Sequence, residues 1–193
     1  MHVAAAREFI FEKLKRELPG DLFYHGIHHT VDVTKVALQI ANREGVCDQT
    51  SLGLLETAAL YHDCGFIYTY QDHEEAGCSV VRDTLPLFGY TADHIQIICG
   101  LIMATKLPQT PRTYLEDIIC DADLDYLGRP DFKAIGDTLF QELLVRNKVT
   151  DIATWNKRQV DFLSQHSYKT KTSQELREMG KQSHLSELKK GLL

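Results

Sequence analysis

The stretch Ser51–His62 constrains the fold more than any other part of the chain. Leu52, Leu54, Leu55, Ala58, Ala59 and Leu60 make it apolar on almost every helical face. A helix of that kind belongs in the centre of a bundle. It ends on a polar pair, His62-Asp63, with Gly65 just beyond. A carboxylate buried there without a partner costs several kcal/mol. A divalent cation removes that cost, because imidazole nitrogen and carboxylate oxygen both ligate zinc, iron, manganese or nickel. Adjacent helical side chains point about 100° apart, so both reach one ion only near a helix end, which is where Gly65 puts them.

The rest of the chain carries the same helical period. Apolar spacing predicts helices over Ala4–Leu18, Thr30–Asn42, His73–Leu85, Thr91–Thr105, Thr113–Tyr126, Phe132–Val145, Asp151–Ser164 and Ser173–Leu188. Pro19-Gly20 and Gly128-Arg129-Pro130 act as stops, and Lys106–Pro111 reads as a loop. Thr91 is a candidate N-cap, and Thr113 with Glu116 forms a candidate capping box. No stretch alternates as a strand would. The expected fold is an all-α, single-domain helical bundle over 1–193, with a core at about 23–132 and a C-terminal helical extension at about 133–193.

Composition narrows the class. An apolar fraction of 44% suits a soluble globular protein. The longest apolar runs fall short of the roughly 20 residues that span a bilayer, and no leader pattern opens the chain. No membrane association is expected. Five scattered cysteines without a CxxC fit neither a disulfide framework nor a cysteine zinc site, and point to a reducing cytoplasm. A net charge of −6 argues against nucleic acid as the main partner, though not against a nucleotide.

Four polar segments interrupt the apolar pattern: Tyr24–Val33, Ala58–Gly65, Asp72–Glu75 and Ile118–Asp125. The last holds Asp121, Asp123 and Asp125 in alternation. It is no EF-hand loop, since Tyr126 and Phe132 stand where glycine and glutamate are required. One acid turned inward is the better reading, with the others capping or solvated. A lone His-Asp pair is common by chance. Histidine, then His-Asp, then Asp, on three apolar helices, is a set that can hold one metal with open positions for water.

At these residues the chain resembles the HD-domain superfamily of metal-dependent phosphohydrolases, whose ordered pattern is H…HD…D. The resemblance runs from about Phe23 to Phe132. It implies His29, His62, Asp63 and Asp123 as ligands of one divalent ion (manganese, iron, nickel, cobalt, zinc or magnesium). His28 and Asp121 are the alternatives. Tyr24-His25-Gly26-Ile27-His28-His29 is similar to the phosphodiesterase form YHNxxH, which implies His25 as a general acid, with Gly26 in place of asparagine. His73 resembles the first additional histidine of two-metal members. The next would fall within Ile98–Lys106, which has none, so one metal is expected. His73 and Lys106 are then free to meet the substrate phosphate, with Asp63 orienting or deprotonating the attacking water. Arg112 and Arg129 are further candidates. The implied substrate is a small phosphorylated molecule such as a nucleotide. The competing expectation is a non-catalytic metal- or nucleotide-sensing domain that keeps the ligands.

Overall fold

The computed structural model describes residues 1–191. They form nine α-helices joined by three short 3₁₀ turns, with no strand among the described residues. No helix among them is long and apolar enough to cross a membrane. The first six are α1 (Val3–Glu17), α2 (Ile27–Arg43), α3 (Gln49–Tyr61), α4 (His73–Thr84), α5 (Ala92–Thr105) and α6 (Tyr114–Asp123). The C-terminal three are α7 (Phe132–Val145), α8 (Ile152–Gln165) and α9 (Lys171–Lys190).

α3 lies where its composition requires. Leu54, Leu55, Ala58, Ala59, Leu60 and Tyr61 are all buried in the main core, against Val33, Ala37 and Ile40 of α2 and Ile98 and Ile102 of α5. The N-caps form as the sequence requires. Thr91 and Thr113 each accept from the third backbone N–H of the helix that follows, and His94 and Glu116 reach back to complete both boxes. α2 begins three residues before its predicted start, so His28 and His29 fall in its first turn. α6 ends earlier than predicted: the helix stops at Asp123, and Asp125–Gly128 tightens into a 3₁₀ turn.

Two glycines set close approaches. A Cβ at Gly65 would lie 1.8 Å from the carbonyl oxygen of His73, so only glycine lets the start of α4 close against the end of α3. A Cβ at Gly128 would lie 2.2 Å from the carbonyl oxygen of Arg177, and this contact seats α9 on the turn after α6. A second apolar cluster forms there from Tyr24, Leu124, Tyr126, Leu127, Phe132, Leu163 and Leu185. The polar residues described next lie at the seam between the two clusters.

Candidate metal centre

Each inward-facing ligand candidate comes from a helix end. His62 caps the C-terminus of α3 and is 1% exposed. Its Nδ1 donates to the carbonyl oxygen of Ala59 at 2.8 Å, which leaves Nε2 directed at the cluster. His29, in the first turn of α2, brings its Nε2 to 3.4 Å from that of His62. Asp123, the last residue of α6, sets Oδ1 3.1 Å from His29 Nε2 and 3.6 Å from His62 Nε2. Asp63 sets Oδ2 3.2 Å from His62 Nε2 and 3.5 Å from His29 Nε2.

These spacings suit a cation. Ligand atoms about 2.1 Å from a shared ion lie roughly 3.0–3.4 Å from one another. One atom each from His29, His62 and Asp123 lie mutually within 4.8 Å, close enough to hold one ion. Asp63 Oδ2 is buried and has no hydrogen-bond partner in the protein, a costly arrangement that a cation relieves. The two carboxylates carry the charge that a divalent ion cancels, and the two imidazoles supply nitrogen donors. The donor set therefore fits a divalent metal.

The electrostatics agree. Burial pushes the Asp63 carboxyl up, but the neighbouring His62 and His73 outweigh it and hold it well below the ordinary range. For Asp123 burial is again outweighed, by His29 and His62, and its carboxyl is held down at about 2. Burial disfavours a charged His62, yet Asp63 and Asp123 raise it well above its usual value. The site is built to keep both acids ionised and to attract positive charge.

The three aspartates of the fourth polar segment divide their work. Only Asp123 joins the cluster. Asp121 turns away and accepts from the backbone N–H groups of Lys169 and Thr170 at 2.8 and 2.7 Å, and from the Thr170 hydroxyl at 2.7 Å. Asp125 binds Arg177 of α9 at 2.7 Å. His28 is exposed and outside the cluster, so the inward histidine of that segment is His29. The connection between α8 and α9, residues 166–170, is fastened by Asp121.

His73 and His25 both border the cluster. The His73 ring stacks on Phe66 at 3.8 Å, with Nε2 3.4 Å from Asp63 Oδ1. His25 packs on the same phenyl ring at 4.4 Å. Its Nδ1 lies 2.6 Å from Glu142 Oε1, and its Nε2 has no partner among the described residues. Lys106 reaches the same cavity, but its ammonium is held by Asp72 at 2.8 Å and Glu75 at 2.5 Å, so its charge is already matched. Arg129 is likewise taken by Asp32 and Asp131. Within Ile98–Lys106 the cavity receives Thr105 and Lys106, and no histidine.

Glu142 is missing from the sequence reading. It is 0% exposed, on α7. Its Oε2 accepts from the backbone N–H of Tyr24 and of His25, and its Oε1 from the His25 ring and the Tyr70 hydroxyl. These donors outweigh burial and hold its carboxyl below the usual range. A signal was present: Glu142 continues the inward row Ile135, Leu139 at helical spacing. An acid on an apolar face needs a buried partner.

A cavity of about 580 Å³ opens from Asp63, Asp123, His25 and His73. Lys148 and Arg158 also line it; they are exposed, and neither is in an ion pair among the described residues.

A sequence model of the HD domain matches residues 26–125, just over half of the 193-residue chain. The fold is similar to a crystal structure of a protein from Lactobacillus plantarum, with a TM-score of 0.67 and 17% identity over 98% of this chain and 96% of that one. That likeness extends through the C-terminal helices and concerns the fold alone. No curated protein matches the sequence.

Proposed function

The chain belongs to the HD-domain family of metal-dependent phosphohydrolases, and on that premise we propose that it hydrolyses a phosphate ester or phosphoanhydride of a small molecule such as a nucleotide. The observation that carries the reading is the convergence of His29, His62, Asp63 and Asp123, with a buried Asp63 oxygen left without a partner.

These four residues would hold one divalent ion. When bound, it supplies Lewis-acid activation of water and neutralises phosphoryl charge. The other roles fall to side chains of this chain. Asp63 Oδ1, beside His73 Nε2, would orient or deprotonate the attacking water. Glu142 holds the Nδ1 proton of His25 and leaves Nε2 to serve the leaving oxygen as proton donor. Phe66 fixes the planes of both the His25 and His73 rings. Lys148 and Arg158 give the cavity unmatched positive charge for an anionic substrate. Lys106 meets the phosphate only by exchanging Asp72 or Glu75 for it.

The test is a panel of nucleotides and phosphate esters assayed with manganese, nickel, iron and magnesium, with His62→Ala as control and metal content measured on both proteins. Metal-dependent hydrolysis lost in the control is expected. Hydrolysis that survives in His62→Ala, or a wild-type protein that binds no stoichiometric metal, would overturn the assignment. Bound metal without turnover of any ester would favour a sensing role.

A further inference from the structure

The cavity is much larger than a phosphoryl group requires, and the excess is built by the C-terminal helices. Its volume of about 580 Å³ lies in the range of pockets that enclose a whole small organic ligand. Away from the metal ligands its wall includes an apolar part, Leu139 and Leu143 of α7 and Trp155, Phe162 and Leu163 of α8, beside the charged side chains of Lys148 and Arg158. All five apolar residues lie outside the segment that matches the HD domain. An apolar wall of this extent favours a ligand whose body is itself apolar, because the ligand removes that surface from water.

One side chain in the wall breaks the pattern. Trp155, Gln159 and Leu163 follow one another at four-residue spacing and form the buried row of α8. Gln159 is 8% exposed and lines the cavity; its side-chain amide makes no hydrogen bond to another described residue and is not fully enclosed, so it is open to the cavity. The side chain is closely confined: a Cβ at Gly136 of α7 would come within 3.1 Å of its Nε2. A primary amide offers a donor and an acceptor side by side, and buried amides are ordinarily paired. The partner that matches both is a group with an adjacent acceptor and donor, such as a lactam or secondary amide edge.

We propose that α7 and α8 form a compartment for the organic part of the substrate, which is flat, largely apolar and carries an amide-like edge read by Gln159. This inference rests on the phosphohydrolase reading for its placement of the phosphate, and it adds the class of the esterified group. Free sugar and glycerol phosphates, which have no flat apolar body to set against Leu143, Trp155 and Phe162, are disfavoured; in a nucleotide the base would occupy the compartment.

The test uses non-hydrolysable probes titrated calorimetrically into the metal-loaded protein: methylphosphonate, 1-naphthylmethylphosphonate and the isoquinolinone analogue of the latter, which adds a lactam edge. The naphthyl probe is expected to bind about tenfold or more tighter than methylphosphonate, from apolar burial. The lactam probe should gain about a further fivefold. Gln159→Leu should erase the second gain and keep the first; should it fail to fold, Gln159→Met makes the same comparison. Leu143→Glu should erase the first gain. A naphthyl probe no tighter than methylphosphonate, a lactam preference that persists without the Gln159 amide, or no binding by any probe overturns the proposal. Hydrolysis of glycerol phosphate without a naphthyl preference would sink the compartment and leave the phosphohydrolase. The expected binding ratios without turnover of any ester would do the reverse.

Discussion

Glu142 offers the sharpest test of how the C-terminal helices serve the site. Its two oxygens take four donors: the backbone N–H groups of Tyr24 and His25, the His25 ring and the Tyr70 hydroxyl. Glu142→Ala removes all four acceptors and leaves two buried or half-buried backbone N–H groups with none. Removing one partner from such a buried charged network costs about 3–5 kcal/mol. For a chain of this size that lowers the melting temperature by roughly 6–20 °C, at about 2–4 °C per kcal/mol. Glu142→Gln separates structure from chemistry. Its carbonyl can still accept from the two backbone N–H groups, and its amide nitrogen must then face the His25 ring and Tyr70. The hydroxyl can rotate to accept, and the ring can shift its proton to Nε2. The expected loss of stability is therefore only about 1–2 kcal/mol, but His25 loses the carboxylate that fixes its Nδ1 and the orientation of its ring. Hydrolysis should fall by about tenfold or more, within the range for a displaced proton donor. The assays are thermal melts by circular dichroism and steady-state kinetics with saturating metal. An alanine variant that melts within about 2 °C of wild type, or a glutamine variant with unaltered kcat, would refute the reasoning.

The other predictions concern the remaining buried contacts. Asp121→Ala should cost about 2–4 kcal/mol by leaving three donor groups of Lys169 and Thr170 without their acceptor and leave metal content unchanged; loss of the metal would make Asp121 a ligand. Gly128→Ala should destabilise by more than about 2 kcal/mol, because the new Cβ meets the backbone of Arg177, and a melt equal to wild type would show that α9 can shift freely. A divalent ion at a hundredfold excess over its dissociation constant should add about 2.7 kcal/mol, visible as a raised melting temperature in wild type and absent in His62→Ala. Burial beside Lys181 and Lys169 pushes the His166 imidazole down to about 4, while the unfolded chain protonates it near 6.5. The unfolded state thus binds more protons between those values, and stability should fall as pH drops from about 6.5 to 4. His166→Gln should flatten that part of the curve measured by urea denaturation, and an unchanged slope would refute the assignment.

The parts of this molecule that could be read from its sequence are those with a local cause. α3 declares itself because nearly every face is apolar, and the capping residues Thr91 and Thr113 mark helix starts by side-chain chemistry within three residues. The ordered residues His29, His62-Asp63 and Asp123 sit at helix ends, and that is why three helices can aim them at one point. What the sequence hid has a distant cause. Asp121, Asp123 and Asp125 are equivalent in local pattern, yet one meets His29 and His62 and the others meet Thr170 and Arg177, residues about fifty positions away. Lys106 looked free because Asp72 and Glu75 lie more than thirty positions before it.

Glu142 and Gln159 share a simpler signature. Each interrupts an apolar row at helical spacing, Ile135 and Leu139 in one case, Trp155 and Leu163 in the other. The period predicts that such a residue is buried, and burial obliges a polar group to find a partner. For Glu142 the partner is in the protein, 117 positions away at His25. For Gln159 the described residues supply none. A buried carboxylate resolved by the chain itself reads as scaffold for the site, whereas a buried amide left open to a cavity reads as a place kept for a ligand. The two polar interruptions of α7 and α8 therefore give those helices two distinct roles. Under the proposed function, Glu142 would fix the proton donor His25, and Gln159 would face the group that carries the phosphate.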